Sequence, residues 1–184
     1  MATIREGDQT ALLIVDMQVV VIDGAWQEDL IIASTRRAVE KAREKGVPII
    51  WIQHESKSKP HGSPGWQIVP QLAPHPDEIC LDKHFNSAFE ESGLEETLSG
   101  LGITHIVLAG VLTNWCLQAT AYAALDRGYD LTLIGDAHTT EDFDFDNGES
   151  ISAANIIEAF NILIGAVRYP GRTNRVISVE DLEF

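Results

Sequence analysis

Two cysteines, Cys80 and Cys116, are all that the 184-residue chain contains. That is too few for a disulfide framework and fits a reducing compartment. Positive charge is also scarce: 13 Lys and Arg stand against 28 Asp and Glu, a formal net charge of −15. A phosphate-backbone partner needs clustered cations, so nucleic acid is excluded. The excess of carboxylates serves solubility, and where it bears on ligands it favours a neutral or cationic small molecule over an anionic one. No apolar run approaches the roughly 20 residues of a membrane span, and the opening MATIREGDQT carries charge where a secretory leader is apolar. These absences predict a soluble, cytoplasmic protein with no membrane partner. The 45% hydrophobic content suffices for one substantial core, so residues 1–184 read as a single domain.

The hydrophobic pattern alternates between two periods. Thr10 to Val15 is a continuous apolar run ending at Asp16, the signature of a strand buried on both faces. Asp29 to Lys45 has helical composition, with Leu30, Ala38, Val39 and Ala42 for an inner face and Gly46 with Pro48 to close it. Strands follow at Val47–Gln53, around Ile79–Leu81, at His105–Ala109, at Leu131–Ile134 and at Arg175–Ser178. Helices are expected around Gly93–Ser99, after the turn that holds Cys116 to near Gly128 with small Ala119, Ala121, Ala123 and Ala124, and at Ile151–Ile164. This alternation predicts a three-layer α/β/α, Rossmann-like domain on a mainly parallel sheet.

Ligands of open parallel sheets bind beyond the carboxyl ends of the strands. Asp16, Lys83 and Cys116 each fall at such an end. Cys116 lies where a strand breaks into a helix, so the helix dipole and unpaired backbone N–H groups are expected to favour its thiolate. A thiol there is a nucleophile for a carbonyl or nitrile carbon, Asp16 an acceptor for its proton, and Lys83 a cation to stabilise both. Backbone N–H groups between Val111 and Cys116 form a natural oxyanion hole. Singly, each residue has a plain explanation: an inert buried thiol, a turn carboxylate, a solvated ammonium. Their coincidence at strand ends favours the functional one.

Three ordered segments, ALLIVDMQ with Asp16, CLDKHFNSAF with Lys83 and LAGVLTNWCLQATAYAALDRGYDLTLIGDAHTT with Cys116, resemble the isochorismatase-like cysteine hydrolases over nearly the whole chain. The resemblance implies a catalytic triad of Asp16, Lys83 and Cys116, a six-stranded sheet and a homodimer or homotetramer. It also implies a cis peptide at Val111–Leu112, with Leu112 and Cys116 supplying oxyanion N–H groups. Members of that family include nicotinamidases, N-carbamoyl amine hydrolases, ureidoacrylate hydrolases and a streptothricin lactam hydrolase. An intact triad tilts the expectation towards C–N hydrolysis through a thioester. Cleavage of an isochorismate-type vinyl ether, for which no thiol is needed, and a non-catalytic thiol-sensing protein on the same fold are the alternatives.

Nicotinamidases of the family bind a metal through an Asp and His residues near the second strand. Here that region reads WIQHESKSKPHGSPGW and lacks the Asp-x-His pattern, so no metal and no cofactor is expected. His54 and His61, seven residues apart in a loop, make a weak metal motif. His54, Trp66 and Phe89 are instead expected to line the pocket. In EDFDFDNGE, Asp142, Asp144 and Asp146 alternate as in a calcium loop. The sixth position is Asn147 where Gly is required and the twelfth Ala153 where Glu is required, which leaves a solvated loop near the pocket mouth.

Overall fold

A computed structural model describes residues 2–184. The chain lays down β1 (Gln9–Val15) and passes through a short α1 (Val19–Ile22) and the long α2 (Glu28–Lys45) to β2 (Ile49–His54) and β3 (Ile79–Lys83). It returns by α3 (Leu94–Gly100) to β4 (Ile103–Val111), a π-helical turn (Thr113–Leu117) and α4 (Gln118–Asp126). β5 (Asp130–Thr139), a small hairpin of β6 (Phe143–Asp144) and β7 (Ser150–Ile151), α5 (Ala153–Ala166) and β8 (Asn174–Ile177) complete it. The main sheet runs β3-β2-β1-β4-β5-β8 with every neighbouring pair parallel. Strand order reverses between β1 and β4, and the crevice beyond their carboxyl ends is where such sheets hold ligands.

Burial on both faces explains the unbroken apolar run of β1. Ala11, Leu13 and Val15 face a core shared with Leu94 and Leu98 of α3, Leu117, Ala121 and Leu125 around α4, and Phe160 of α5. Leu12 and Ile14 face the opposite core against Ile31, Ile32, Ala38, Val39 and Ala42 of α2. The helices lie in two layers because period-2 side chains on a central strand need apolar cover on each side. Of the four small residues expected to bring α4 close, Ala121 and Ala124 are the buried pair.

Several expectations are corrected in detail. Leu30 is 61% exposed, and Ile31 and Ile32 take its place; at about 100° per residue Ile31, not Leu30, lies in phase with Ala38. Gly46 ends α2 in the left-handed conformation (φ 67°), its N–H bonded to the Arg43 carbonyl. β4 and β5 extend beyond the expected spans, to Ile103–Val111 and Asp130–Thr139, and β5 carries a register irregularity opposite Leu108–Gly110. The last long helix begins at Ala153, because Ser152 caps it by accepting from the Asn155 N–H. The residues before it pair as β6 and β7 about an Asn147-Gly148 turn, with Gly148 at φ 86°. The acidic loop is therefore an exposed hairpin. Among the described residues, no helix is long and apolar enough to cross a membrane.

Candidate active site

Three strands deliver three side chains to one point. Asp16 follows β1, in the left-handed region at φ 53°, an unusual conformation for a residue other than glycine. Lys83 ends the edge strand β3, and Cys116 sits in the π-helical turn after β4. Asp16 and Lys83 are fully buried, and Cys116 keeps 9% of its surface accessible. β1 and β4 approach so closely here that a Cβ on Gly110 (φ 134°) would lie 2.1 Å from the Val15 carbonyl oxygen.

Lys83 Nζ occupies the centre. It lies 2.8 Å from Asp16 Oδ2, 3.1 Å from Cys116 Sγ, 2.9 Å from His54 Nδ1 and 3.1 Å from the Phe85 carbonyl oxygen. Asp16, His54 and Cys116 each bring a donor atom within 4.8 Å of the others, which in isolation resembles a metal cluster. The ammonium already fills that position as the cation. His54 Nδ1 faces an ammonium and so must accept, which puts the imidazole proton on Nε2. Burial and then the charge of Lys83 pull the His54 pKa down to about 4, so the ring is neutral at neutral pH. Gln18 locks the residue in place, its Oε1 accepting from the His54 N–H and its Nε2 donating to the His54 carbonyl.

Asp16 is held by charge and proximity: neither carboxylate oxygen has a well-aligned hydrogen bond among the described residues. Burial raises its pKa above the usual carboxylate range against the opposing charge of Lys83. The same burial, with the charge of Asp16, pushes the Cys116 thiol up to about 12. This corrects the thiolate expected from the helix start, because desolvation by burial outweighs the helix dipole. Cys116 rests as a thiol beside a carboxylate of heightened basicity.

The turn bearing Cys116 is anchored from behind. The Val111–Leu112 peptide is cis, and the Leu112 carbonyl accepts from the N–H groups of Trp115 and Leu117. Thr113 Oγ1 lies 2.9 Å from His138 Nδ1, and His138 Nε2 lies 3.0 Å from Asn161 Oδ1 on α5. Asn161 uses its amide N–H on the Gly135 carbonyl, so its oxygen accepts from His138 Nε2. Thr113 then donates to Nδ1. Burial keeps His138 neutral, with its pKa down to about 4. Asn114 Oδ1 accepts from Thr140 Oγ1 on the same side. Sequence reasoning missed this network, although His138 and Thr140 both stand in the segment that carried the resemblance.

The three pocket residues expected from sequence separate. His54 joins the triad. Trp66 lies half-buried on the β2–β3 loop, its ring 4.2 Å from that of His61. Phe89 belongs to the core: its ring packs on Tyr129 with Arg127 over it, near the end of α4 remote from Cys116. His61 pairs with Asp82 at 2.9 Å. The exposed aromatics next to the site are Phe85 and Trp115, close in sequence to Lys83 and Cys116. A cavity of about 640 Å³ between α2 and α5 is lined by Trp26, Leu30, His138 and Asn161, and by none of the triad.

A buried carboxylate, ammonium and thiol at the switch point of a parallel sheet define a cysteine-hydrolase type of site. The chain belongs to the isochorismatase family, whose domain matches residues 10–167. It is similar to a streptothricin hydrolase of Streptomyces noursei, 33% identical over 140 residues, covering 72% of this chain and 55% of that protein. It is 34% identical over 138 residues to an uncharacterized isochorismatase family protein of Bacillus subtilis, covering 71% of this chain and 73% of the other. The chain spans about half the length of the streptothricin hydrolases it matches. An isochorismatase structure from Pseudomonas putida KT2440 superposes with a TM-score of 0.85 at 27% identity, over 96% of this chain and 93% of that one. A cysteine hydrolase from Pseudomonas syringae reaches 0.86 over 94% and 90% of the two chains; its 21% identity speaks for the fold alone.

Proposed function

We propose that this isochorismatase-family hydrolase cleaves a C–N bond of a small molecule through an acyl-enzyme on Cys116. The observation that carries the reading is the contact of Lys83 Nζ with both Asp16 and Cys116, at 2.8 and 3.1 Å. Asp16 takes the Sγ proton as sulfur bonds to the carbonyl carbon, and the carbonyl π electrons move onto oxygen. The Leu112 and Cys116 N–H groups receive that oxygen, each donor contributing on the order of 3 kcal/mol in the transition state. Collapse breaks the C–N bond as Asp16 returns the proton to nitrogen, leaving a thioester and free amine or ammonia. Asp16 then deprotonates water, which attacks the thioester carbon; the C–S bond breaks and sulfur regains a proton. Raising the base and leaving the nucleophile protonated at rest suits this sequence, because the proton moves only during attack. Lys83 Nζ, in contact with both groups, offsets the negative charge passed between sulfur and carboxylate. The streptothricin hydrolases among the relatives lend support to a hydrolytic reaction.

The test is ammonia or amine release from a panel of primary amides, carbamoyl compounds and lactams, with acid-quenched mass spectrometry of the protein. An acyl adduct on Cys116 and loss of turnover in Cys116→Ala are expected. Amide turnover that survives Cys116→Ala would refute covalent catalysis. Turnover confined to an isochorismate-type vinyl ether, thiol or no thiol, would establish the other chemistry.

A further inference from the structure

The β2–β3 loop brings a second ammonium to the site. Ser56 and Lys59 close a tight turn through paired backbone hydrogen bonds, Ser56 N–H to Lys59 O at 3.1 Å and Lys59 N–H to Ser56 O at 3.0 Å. The Glu55 N–H binds the Lys83 carbonyl at 2.9 Å, which pins this turn over the end of β3. Lys59 is half-buried there, within electrostatic reach of Asp16, Cys116 and Lys83. Burial lowers its pKa, with the negative charge of Asp16 opposing. No carboxylate lies in ion-pair contact with Lys59 among the described residues. The nearby acids are engaged elsewhere: Asp82 pairs with His61, and Glu55 clusters with those two. The same loop carries a second unanswered donor, the Trp66 Nε1–H, buried without an acceptor among the described residues.

We propose that Lys59 receives a carboxylate of the substrate, so that the site takes small amides or ureas bearing an acid group. The inference rests on the C–N hydrolase reading above and specifies its substrate class. It departs from the preference that net charge suggests, and the reason is local. Three of the five lysines, Lys57, Lys59 and Lys83, lie between the end of β2 and the end of β3. A half-buried cation at short range outweighs a distant, screened excess of surface carboxylates. With Lys83 engaged by Asp16, Cys116 and His54, Lys59, without an ion pair among the described residues, is a cation available to a ligand.

The experiment compares acid and neutral partners of similar size on the intact enzyme: N-carbamoylglycine against propylurea, and succinamate against pentanamide. Wild type is expected to favour the acid in kcat/KM by at least about tenfold, equivalent to about 1.4 kcal/mol. Lys59→Gln should bring that ratio to about twofold or less, chiefly through KM, while Lys59→Arg and the exposed-site control Lys57→Gln keep it. A ratio unchanged in Lys59→Gln, or a wild-type preference for the neutral partner, overturns the proposal. Calorimetric binding of the same compounds to Cys116→Ala, with and without Lys59→Gln, separates the two levels. Acid-selective binding that depends on Lys59 upholds the carboxylate site even if no ammonia is released, whereas its absence defeats that site even if amides are cleaved.

Discussion

Replacing Lys83 with methionine removes the cation that touches Asp16, a carboxylate with no well-aligned hydrogen bond among the described residues. Lys83 and Asp16 are fully buried and 2.8 Å apart, so solvent screening does little and the cost of an orphaned buried charge applies, about 3–5 kcal/mol. For a chain of this length about 1 kcal/mol moves the melting point by roughly 2–4 °C, and Lys83→Met should melt roughly 6–20 °C below wild type near pH 8. The penalty is one of charge, so it should shrink on acidification. Without Lys83 the Asp16 pKa rises further above its unfolded value of 3.8, the folded state then holds a proton that the unfolded state has released, and stability falls as pH rises between the two values. Urea unfolding at pH 5.5 and pH 8 should therefore find the variant closer to wild type at the lower pH. Asp16→Asn combined with Lys83→Met should recover at least half of the loss. A deficit below about 1 kcal/mol at pH 8, or an equal deficit at both pH values with no recovery in the double variant, would refute the reasoning.

Two further outcomes follow from the scaffold behind the site. His138 is fully buried and neutral, its pKa depressed from 6.5 to about 4. Stability present above pH 6.5 is therefore lost as pH falls towards 4, by up to about 3 kcal/mol; urea midpoints at pH 4.5 and 7 should differ less in His138→Gln than in wild type, and equal slopes would remove His138 as the cause. Gly110→Ala places a Cβ 2.1 Å from the Val15 oxygen at φ 134°, whereas Gly46→Ala meets no atom within 4 Å. Thermal midpoints should show a loss on the order of 3 kcal/mol or more for Gly110→Ala and about 1 kcal/mol for Gly46→Ala, and equal losses would show that strand approach is not the constraint at Gly110.

Strand positions were legible because both faces of the central sheet are covered, which writes continuous apolar runs into β1 and β4, and the end of each run marked Asp16 and the turn of Cys116. Lys83 was legible as the end of a shorter run. What lay hidden depended on contacts distant in sequence. His54 meets Lys83 only because β2 and β3 pair in register at those two residues. Phe89 has the same aromatic character as a pocket wall, and only its packing on Tyr129 places it in the core. The protonation state of Cys116 was misjudged because local helix geometry is visible in sequence while the burial of the surrounding cleft is not. The hairpin at Asn147-Gly148 had a turn dipeptide in plain view, masked by acidic residues that drew attention to cation binding.

Lys83 stands on β3, the five-residue border strand that among the described residues pairs with β2 alone. Border strands open before central ones when a sheet breathes. Each such excursion withdraws the ammonium and leaves carboxylate and thiol facing one another across an open gap. On the proposed chemistry, such local peeling would silence the site while the rest of the molecule stays folded, so that turnover would fail at a lower temperature than the domain as a whole.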